Sequence, residues 1–319
     1  EAISTPLTAR ILTSVEIAKT GIEECIWAKA STISLKLRND MKISRYACSG
    51  ELYVDLEGLT AGIGTFVHEF SHILGLPDFY NTVNTDSEQL SMDVWSVMDY
   101  GLYNRGGFVP CAYTAFERYS LGWLPMNTIE GPATLSLGTT AEENTGYRIV
   151  VADDTTSFYL VETIRKEGWN RYAYAEGLLI SQVTYDAKAW KGNKVNATGG
   201  AYRHCIVPAS NCWSINEAVG YNPTLHLFGT RNHDFTIISN PPSVTQFGAR
   251  MNKPLTNISY SKETGKTSLD FCKMDIADGV EVITTHSTLS TNTYDLQGRP
   301  VENPSQGIYI RNGKKVVIK

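Results

Sequence analysis

The chain has 319 residues, 42% of them hydrophobic, which suffices for two domains with a sizeable core and a small appendage. A formal net charge of -5 and an isoelectric point near 5.7, without any stripe of Lys and Arg, argue against a nucleic-acid-binding protein. No apolar run approaches the length of a membrane-spanning helix, and because the chain opens at Glu1 with neither an initiator Met nor a signal peptide, we expect a mature or trimmed piece.

Cysteine usage does not indicate a disulfide scaffold, because six cysteines are few for this length and no Cys-x-x-Cys metal pair is present. Cys25 with Cys48, and Cys205 with Cys212, are the nearest in sequence. A disulfide also requires suitable Cα and Cβ geometry, so the sequence leaves the pairing open. The six residues are Cys25, Cys48, Cys111, Cys205, Cys212 and Cys272.

The first sixty residues carry weak patterns of mixed type. Arg10 to Lys19 has a helical periodicity, Ser31 to Leu37 alternates like a strand, and Glu51 to Leu56 predicts another short strand. Glycines then precede a stronger helical pattern, whose start we place near Thr60.

That pattern, GTFVHEFSHILGLPDFY, predicts a zinc-site helix. His68 and His72 are four residues apart, so on a helix both imidazoles project from one face toward one point. Glu69 projects to one side, where its carboxylate can meet a metal-bound water without ligating the ion. The alternative is a solvated amphipathic helix. Gly75 and Pro77 are expected to end the helix.

Asp78 follows this sharp exit, at the last position of His-Glu-x-x-His-x-x-Gly-x-x-Asp. A carboxylate there could swing back and complete a three-ligand site with one position open to water. Two other interpretations stay open: Asp78 caps a turn after Pro77, or it anchors calcium together with the polar loop Asn81 to Glu88.

The loop Ser91 to Gly101 resembles the turn beneath the zinc in metzincin peptidases. Met98 would then form an apolar, polarizable base under the histidines without coordinating the metal, although a lone methionine is usually just core. Tyr100 could swing toward the metal and hydrogen-bond a developing oxyanion, as the similarly placed tyrosine does in astacin-like enzymes. Most loop tyrosines only pack. Pro110 to Leu124 is predicted as a helix backing the site.

From Ile129 onward, short β-type runs separated by breaker-rich turns predict an antiparallel β-rich region. Its histidines lack ligand spacing and are interpreted as structural. Asp153, Asp154 and Asp186 could hold calcium, but without an Asp-x-Asp-x-Asp-Gly pattern we prefer solvated turns. The predicted strands are Ala133 to Leu137, Tyr147 to Val151, Phe158 to Thr163, Gly177 to Val183, His204 to Val207, Leu225 to Phe228 and Phe235 to Ile238.

Four segments together resemble the immune inhibitor A family of secreted bacterial metallopeptidases: HEFSHILGLPDFY, WSVMDYGLYN, AYTAFERYSLGWL and EGLLISQVTYD. The similarity runs from about Ile26 to Cys272. It implies a zincin fold, one catalytic zinc, proteolysis of proteins outside the cell and often structural calcium. Family members carry a longer region ahead of the histidine helix, so we expect this chain to begin inside the catalytic domain.

The last stretch, from Thr293 to Lys319, resembles the C-terminal sorting domains of Bacteroidetes proteins exported by the type IX route, with its Tyr-Asp-Leu-x-Gly-Arg and Gly-Lys-Lys-Val elements. It reads as three short strands tethered by the linker Ser287 to Thr293. An ordinary terminal hairpin is the alternative.

These observations predict an α+β fold: a zincin, metzincin-like catalytic region lacking part of its N-terminal region (1–128), an antiparallel β-rich region (129–275), and a linker with a small β module (276–319). The expected function is a secreted or cell-surface zinc endopeptidase acting on proteins or peptides, with His68, His72 and Asp78 as ligands and Glu69 as general base. The rival hypothesis is a catalytically decayed surface protein that binds host protein or glycan. Substrate preference and oligomeric state do not follow from the sequence.

Overall fold

The computed structural model describes residues 28–38, 41–50, 60–151, 154–272, 293–295, 300–301, 307–311 and 314–318. The predicted helix Arg10 to Lys19 and strand Glu51 to Leu56 lie outside these residues. The chain forms two compact units, Glu1–Met274 and Asp275–Lys319. In the described parts it is mixed α and β, with few helices and several sheets.

The first unit opens with an antiparallel pair of strands, β1 (Lys29–Lys36) and β2 (Lys42–Cys48). This pair contains most of the strand predicted from Ser31 to Leu37. Both strands contact the helix α1 (Gly64–Leu74) that carries the histidines.

Helix α1 begins at Gly64, later than the predicted start near Thr60. The reason is a close backbone contact: the Gly64 amide donates to Gly107 O over 2.9 Å. A Cβ on Gly64 would lie 1.9 Å from Leu102 O, so only glycine permits this approach. The helix starts where the chain leaves that contact.

The end of α1 agrees with the predicted stop. Gly75 has φ 114°, in the left-handed region, and its amide donates to Ser71 O and His72 O. Glycine adopts this conformation without the strain a Cβ would bring. The chain therefore turns sharply just before Asp78.

Two short 3-10 helices follow, Asp93–Trp95 and Tyr100–Tyr103, and then helix α2 (Ala115–Ser120). The predicted helix from Pro110 to Leu124 is therefore wrong in its extent. Thr114 starts α2 with a capping box to Glu117, and Gly122, at φ 73°, follows its end. The spacing of apolar residues continues beyond both ends of this helix, which is why the sequence predicted a longer one.

The β-rich part contains a five-stranded sheet and a three-stranded sheet. The larger sheet is antiparallel except at one edge, where the first two strands in its order pair in parallel. Its order is β3 (Met126–Thr128), β5 (Gly146–Val151), β6 (Asp154–Ile164), β7 (Gly177–Thr184) and β8 (His204–Ile206). The smaller antiparallel sheet has the order β4 (Ala133–Leu137), β10 (Lys266–Phe271) and β9 (Leu255–Ser261).

Short helices decorate these sheets. They are α3 (Thr140–Glu143), α4 (Ala187–Lys191) and the 3-10 helices Gly168–Tyr172, Glu217–Val219 and Pro223–Leu225. Among the described residues, no helix combines the length and hydrophobicity that a membrane crossing requires.

Five of the seven predicted β-type runs of this region coincide with observed strands. Leu225 to Phe228 and Phe235 to Ile238 do not, because their backbones pair only at isolated bridges, Phe228 with Leu178 and Phe235 with Leu255. Both phenylalanines are completely buried. These side chains fill the hydrophobic core without belonging to a strand. The pattern of apolar residues along the sequence is the same in both cases, so it cannot distinguish them.

Among the described residues of the first unit, two hydrophobic cores form. One combines residues around the predicted site, including Phe79 and Met98, with Leu160 and Val183 of the large sheet. The other joins strands of both sheets around Tyr159 and Phe228. This first core contains residues on both sides of position 128. The predicted domain boundary at 128/129 stays a prediction.

The second unit is a four-stranded antiparallel sheet in the described residues, one strand more than expected. Its order is β12 (Pro300–Val301), β11 (Thr293–Tyr294), β13 (Gly307–Arg311) and β14 (Lys314–Ile318). Most of the predicted linker lies outside the described residues, and Thr293 belongs to β11. The sorting role of this unit stays a prediction.

Candidate metal centre

The two histidines of α1 are held in one tautomer by backbone carbonyls. His68 Nδ1 lies 2.9 Å from Val97 O, and His72 Nδ1 lies 2.8 Å from Leu76 O. A carbonyl oxygen only accepts, so each Nδ1 must carry the hydrogen. In the neutral rings each Nε2 then presents a lone pair, which is the form that ligates a metal.

Asp78 meets both of these lone pairs. Its Oδ1 lies 3.1 Å from His68 Nε2 and 3.2 Å from His72 Nε2, and the residue is buried. Burial disfavours the carboxylate, but hydrogen bonds from the two histidines when their Nε2 atoms are protonated, and a hydrogen bond from Asn193, hold the pKa of Asp78 well below its ordinary value. The side chain is therefore an anion in this site.

The three donor atoms fit a zinc ion. They lie within 4.8 Å of one another, and Asp78 Oδ1 is buried without a hydrogen-bond donor. Three lone-pair atoms converging in a buried place repel one another unless a cation or extra protons lie between them. Two imidazole nitrogens and one carboxylate oxygen form a set that zinc binds while keeping a fourth position open.

Glu69 lies beside this cluster without joining it. Its half-buried side chain lines a cavity of about 320 Å³ together with His68. Burial raises the pKa of Glu69, while the neighbouring histidines oppose the rise. The backbone amide of Ala30, in β1, donates to its carboxylate. Strand β1 therefore lies next to the group that the sequence predicts as the base.

Four tyrosines line the same cavity, namely Tyr80, Tyr100, Tyr103 and Tyr202. Tyr100, the predicted oxyanion partner, is 45% exposed and has its ring 6.4 Å from that of Tyr103. Tyr80 stacks on His68 with a centroid distance of 6.4 Å, and burial with the charge and hydrogen bond of Asp78 raises its pKa. Sequence reasoning missed Tyr80, although its position two residues beyond Asp78 was an available signal.

Met98 is completely buried next to the site. Its carbonyl accepts from the Phe79 amide over 2.9 Å, and the preceding residue, Val97, accepts the hydrogen bond of His68. The loop therefore lies against both the histidine helix and the segment that carries Asp78.

Buried carboxylates brace this loop. Asp99 accepts from Ser91 Oγ at 2.5 Å and from the Asp93 amide at 2.8 Å. Glu117 of α2 accepts from Ser96 Oγ at 2.6 Å and caps its own helix. Because these bonds replace the water each charge loses on burial, the loop has few alternative conformations.

Asp99 predicts a pH dependence of stability. Burial, aided by the nearby charge of Asp93, raises the pKa of Asp99 to about 7, whereas an unfolded Asp titrates near 3.9. The folded state therefore binds this proton more tightly, so the contribution is present below about pH 4 and is lost as pH rises to about 7. We expect urea denaturation, performed with a chelator, to show a falling free energy of unfolding over this range.

The variant Asp99→Asn isolates this contribution. It should flatten the pH profile while lowering stability overall, because the amide cannot accept all the hydrogen bonds of the carboxylate. Asp93 and Glu162, whose pKa values burial raises to about 6 and about 7, add to the residual slope. His204 and His226, whose pKa values burial lowers to about 4, oppose it. Identical slopes in the wild type and the variant would contradict the prediction.

In the described residues, the histidines interpreted from the sequence as structural, and the Asp186 turn, do not join the cluster. His204 and His226 are completely buried, and burial lowers the pKa of each to about 4. Asp186 caps α4, accepting from the amides of Lys188 and Ala189. In the part of the chain that the structure describes, His68, His72 and Asp78 are the one group of three or more ligating side chains.

The cysteines give no disulfide between Cys205 and Cys212, which are both free thiols. Cys205 lies buried against Gln246, whereas Cys212 approaches the carbonyl oxygen of Ser214. Cys25 lies outside the described residues.

A larger cavity of about 700 Å³ lies elsewhere around α1, lined by the exposed rings of Phe66, Phe70 and Trp123. None of the three clustered side chains lines it. We therefore assign the chemistry to the smaller cavity beside Glu69.

Comparison with family models matches residues 21–127 to the immune inhibitor A peptidase M6, catalytic domain. Peptidases of this family are zinc-dependent metallopeptidases, and the match supports a metallopeptidase that acts on peptide substrates. The matched segment contains α1, Asp78 and the Met98 loop but ends before most of the large sheet. Comparison with curated proteins gives no match.

Proposed function

We propose that this chain is a zinc-dependent endopeptidase that cleaves extracellular proteins. The observation that carries the proposal is the convergence of His68, His72 and Asp78, of which His68 and Asp78 are buried, with Glu69 beside them in an open cavity. When bound there, zinc would supply Lewis acidity, which makes water acidic near neutral pH and polarises a carbonyl group.

The side chains then divide the work of hydrolysis. Glu69 takes the proton from the attacking water and passes it to the leaving amine, as its position next to the cluster allows. The backbone of Ala30, next to this carboxylate, favours its charged form. The hydroxyl of Tyr100 serves as a hydrogen-bond donor to the oxyanion, because it lines the same cavity.

Zinc analysis combined with cleavage of casein and a peptide library tests the proposal. We expect about one zinc per chain, internal cleavage of peptides, loss of activity with a chelator and recovery on adding zinc. A chain that binds zinc but cleaves nothing would overturn the endopeptidase and favour the surface-binding protein that recognises host protein or glycan. Cleavage that persists without metal would overturn the role of the centre.

We further propose that the terminal unit directs export to the cell surface by the type IX route. The support is its sequence elements together with its independent compactness. Deleting residues from about Asn292 to the end should leave zinc content unchanged, because no residue of the candidate metal centre lies in that stretch, and should block surface delivery in the native host. Normal export of the shortened protein would refute the sorting role.

A further inference from the structure

Asn193, which is distant in sequence, forms two hydrogen bonds with Asp78 of the cluster. Its Nδ2 donates to Asp78 Oδ2 over 2.6 Å, and its Oδ1 accepts from the Asp78 backbone amide over 2.6 Å. The two residues are 115 positions apart. One amide thus holds both the backbone and the carboxylate of Asp78, which fixes the side-chain rotation and leaves Oδ1 turned toward the histidines.

The backbone conformation of Asn193 is itself held by hydrogen bonds. Its φ is 54°, in the left-handed region that asparagine tolerates better than most residues. It lies just after α4, where its backbone amide donates to Trp190 O over 3.2 Å. Its carbonyl accepts from Thr82 Oγ1 over 3.3 Å, so the contact with the segment around Asp78 continues on the backbone.

A second asparagine ties the same stretch to the large sheet. Asn196 is completely buried, and its Nδ2 donates to Phe79 O and to His204 O, each over 2.6 Å. The carbonyl of Phe79 follows Asp78 directly, and His204 begins β8. The loop after α4 is therefore anchored on one side to the cluster and on the other to the sheet.

We infer that Asn193 is the positioning residue for the metal ligand Asp78, so that tight binding of a divalent transition metal depends on a residue outside the matched segment 21–127. This inference rests on the proposed zinc site. Without the amide, Asp78 would sample other rotamers, and ordering it would oppose metal binding. Partners of this kind typically change metal affinity about 10–100-fold.

The test measures zinc affinity by competition with a chelating dye in the full chain. Asn193→Gly removes the amide and tolerates the left-handed backbone, and we expect about 10–100-fold weaker binding. Asn144→Gly is the matched control, because Asn144 is exposed at φ 49° after α3. Its affinity should stay at the wild-type value. Asn193→Ser gives a second variant should the first not fold.

A double-mutant cycle and spectroscopy separate positioning from general structural support. In an Asp78→Ala background, Asn193→Gly should weaken zinc binding no further, because it acts through Asp78. The visible absorption of cobalt-loaded Asn193→Gly should differ from that of the wild type, since ligand geometry changes. Equal zinc affinity in the wild type and Asn193→Gly, or additive losses in the cycle, would overturn the inference. A wild type that binds no zinc would instead overturn the proposed function.

Discussion

Replacing Glu69 by glutamine should reduce peptide cleavage by about 10²–10⁴-fold while leaving zinc affinity nearly unchanged. Glutamine keeps the shape of the side chain and can still accept the hydrogen bond from Ala30, but it cannot take a proton from water. Glu69 is not among the three clustered ligand atoms, so the metal site should persist. The loss should fall mainly on kcat, because the carboxylate acts in the transition state.

The matched control is Glu263→Gln, an exposed carboxylate in the turn between β9 and β10. It removes the same charge from the chain and should leave kcat and zinc content unchanged. Wild-type cleavage by Glu69→Gln, with the zinc still bound, would end the assignment of Glu69 as the base.

The second large effect is expected at Asp78. Asp78→Ala removes the only anion of the cluster and leaves two imidazoles, so zinc affinity should fall by more than the roughly 100-fold typical of a lost supporting residue. Asp78→His should recover part of this affinity, because a third imidazole is also a zinc ligand. Chelator competition measures each constant directly.

Asp234→Ala serves as the control, because Asp234 is exposed and lies outside the cluster. Unfolding measured with a chelator separates a folding defect from lost metal binding. Full zinc occupancy in Asp78→Ala, or a bound metal from which the Asp78 carboxylate points away, would refute the assignment of Asp78 as a ligand.

The candidate site was predictable from sequence to the extent that it is encoded locally. The spacing of His68 and His72 places both rings on one face of α1, whatever the rest of the chain does. Gly75 ends that helix through its own backbone freedom. Asp78 comes shortly after the end of this helix, and in the structure its carboxylate lies next to both histidines.

Local patterns were less informative in the β-rich part. Apolar runs such as Leu225 to Phe228 satisfy the same hydrophobic pattern as strands, although there Leu227 and Phe228 fill the hydrophobic cores and only one isolated bridge forms. Conversely, β9 and β10 pair across a turn that sequence reasoning did not single out. Whether a short apolar run becomes a strand depends on an available partner edge, which is a property of the whole fold.

By itself, the sequence determined the helix, its histidines, its stop and the adjacent carboxylate, because residues a few positions apart along a backbone have fixed geometry. Only the tertiary structure decided which groups hold these side chains in place. Val97 O selects the His68 tautomer, Ala30 reaches Glu69 and Asn193 grips Asp78 across a long stretch of chain. Such contacts depend on sheet register and core packing, which arise from the cooperative folding of distant segments.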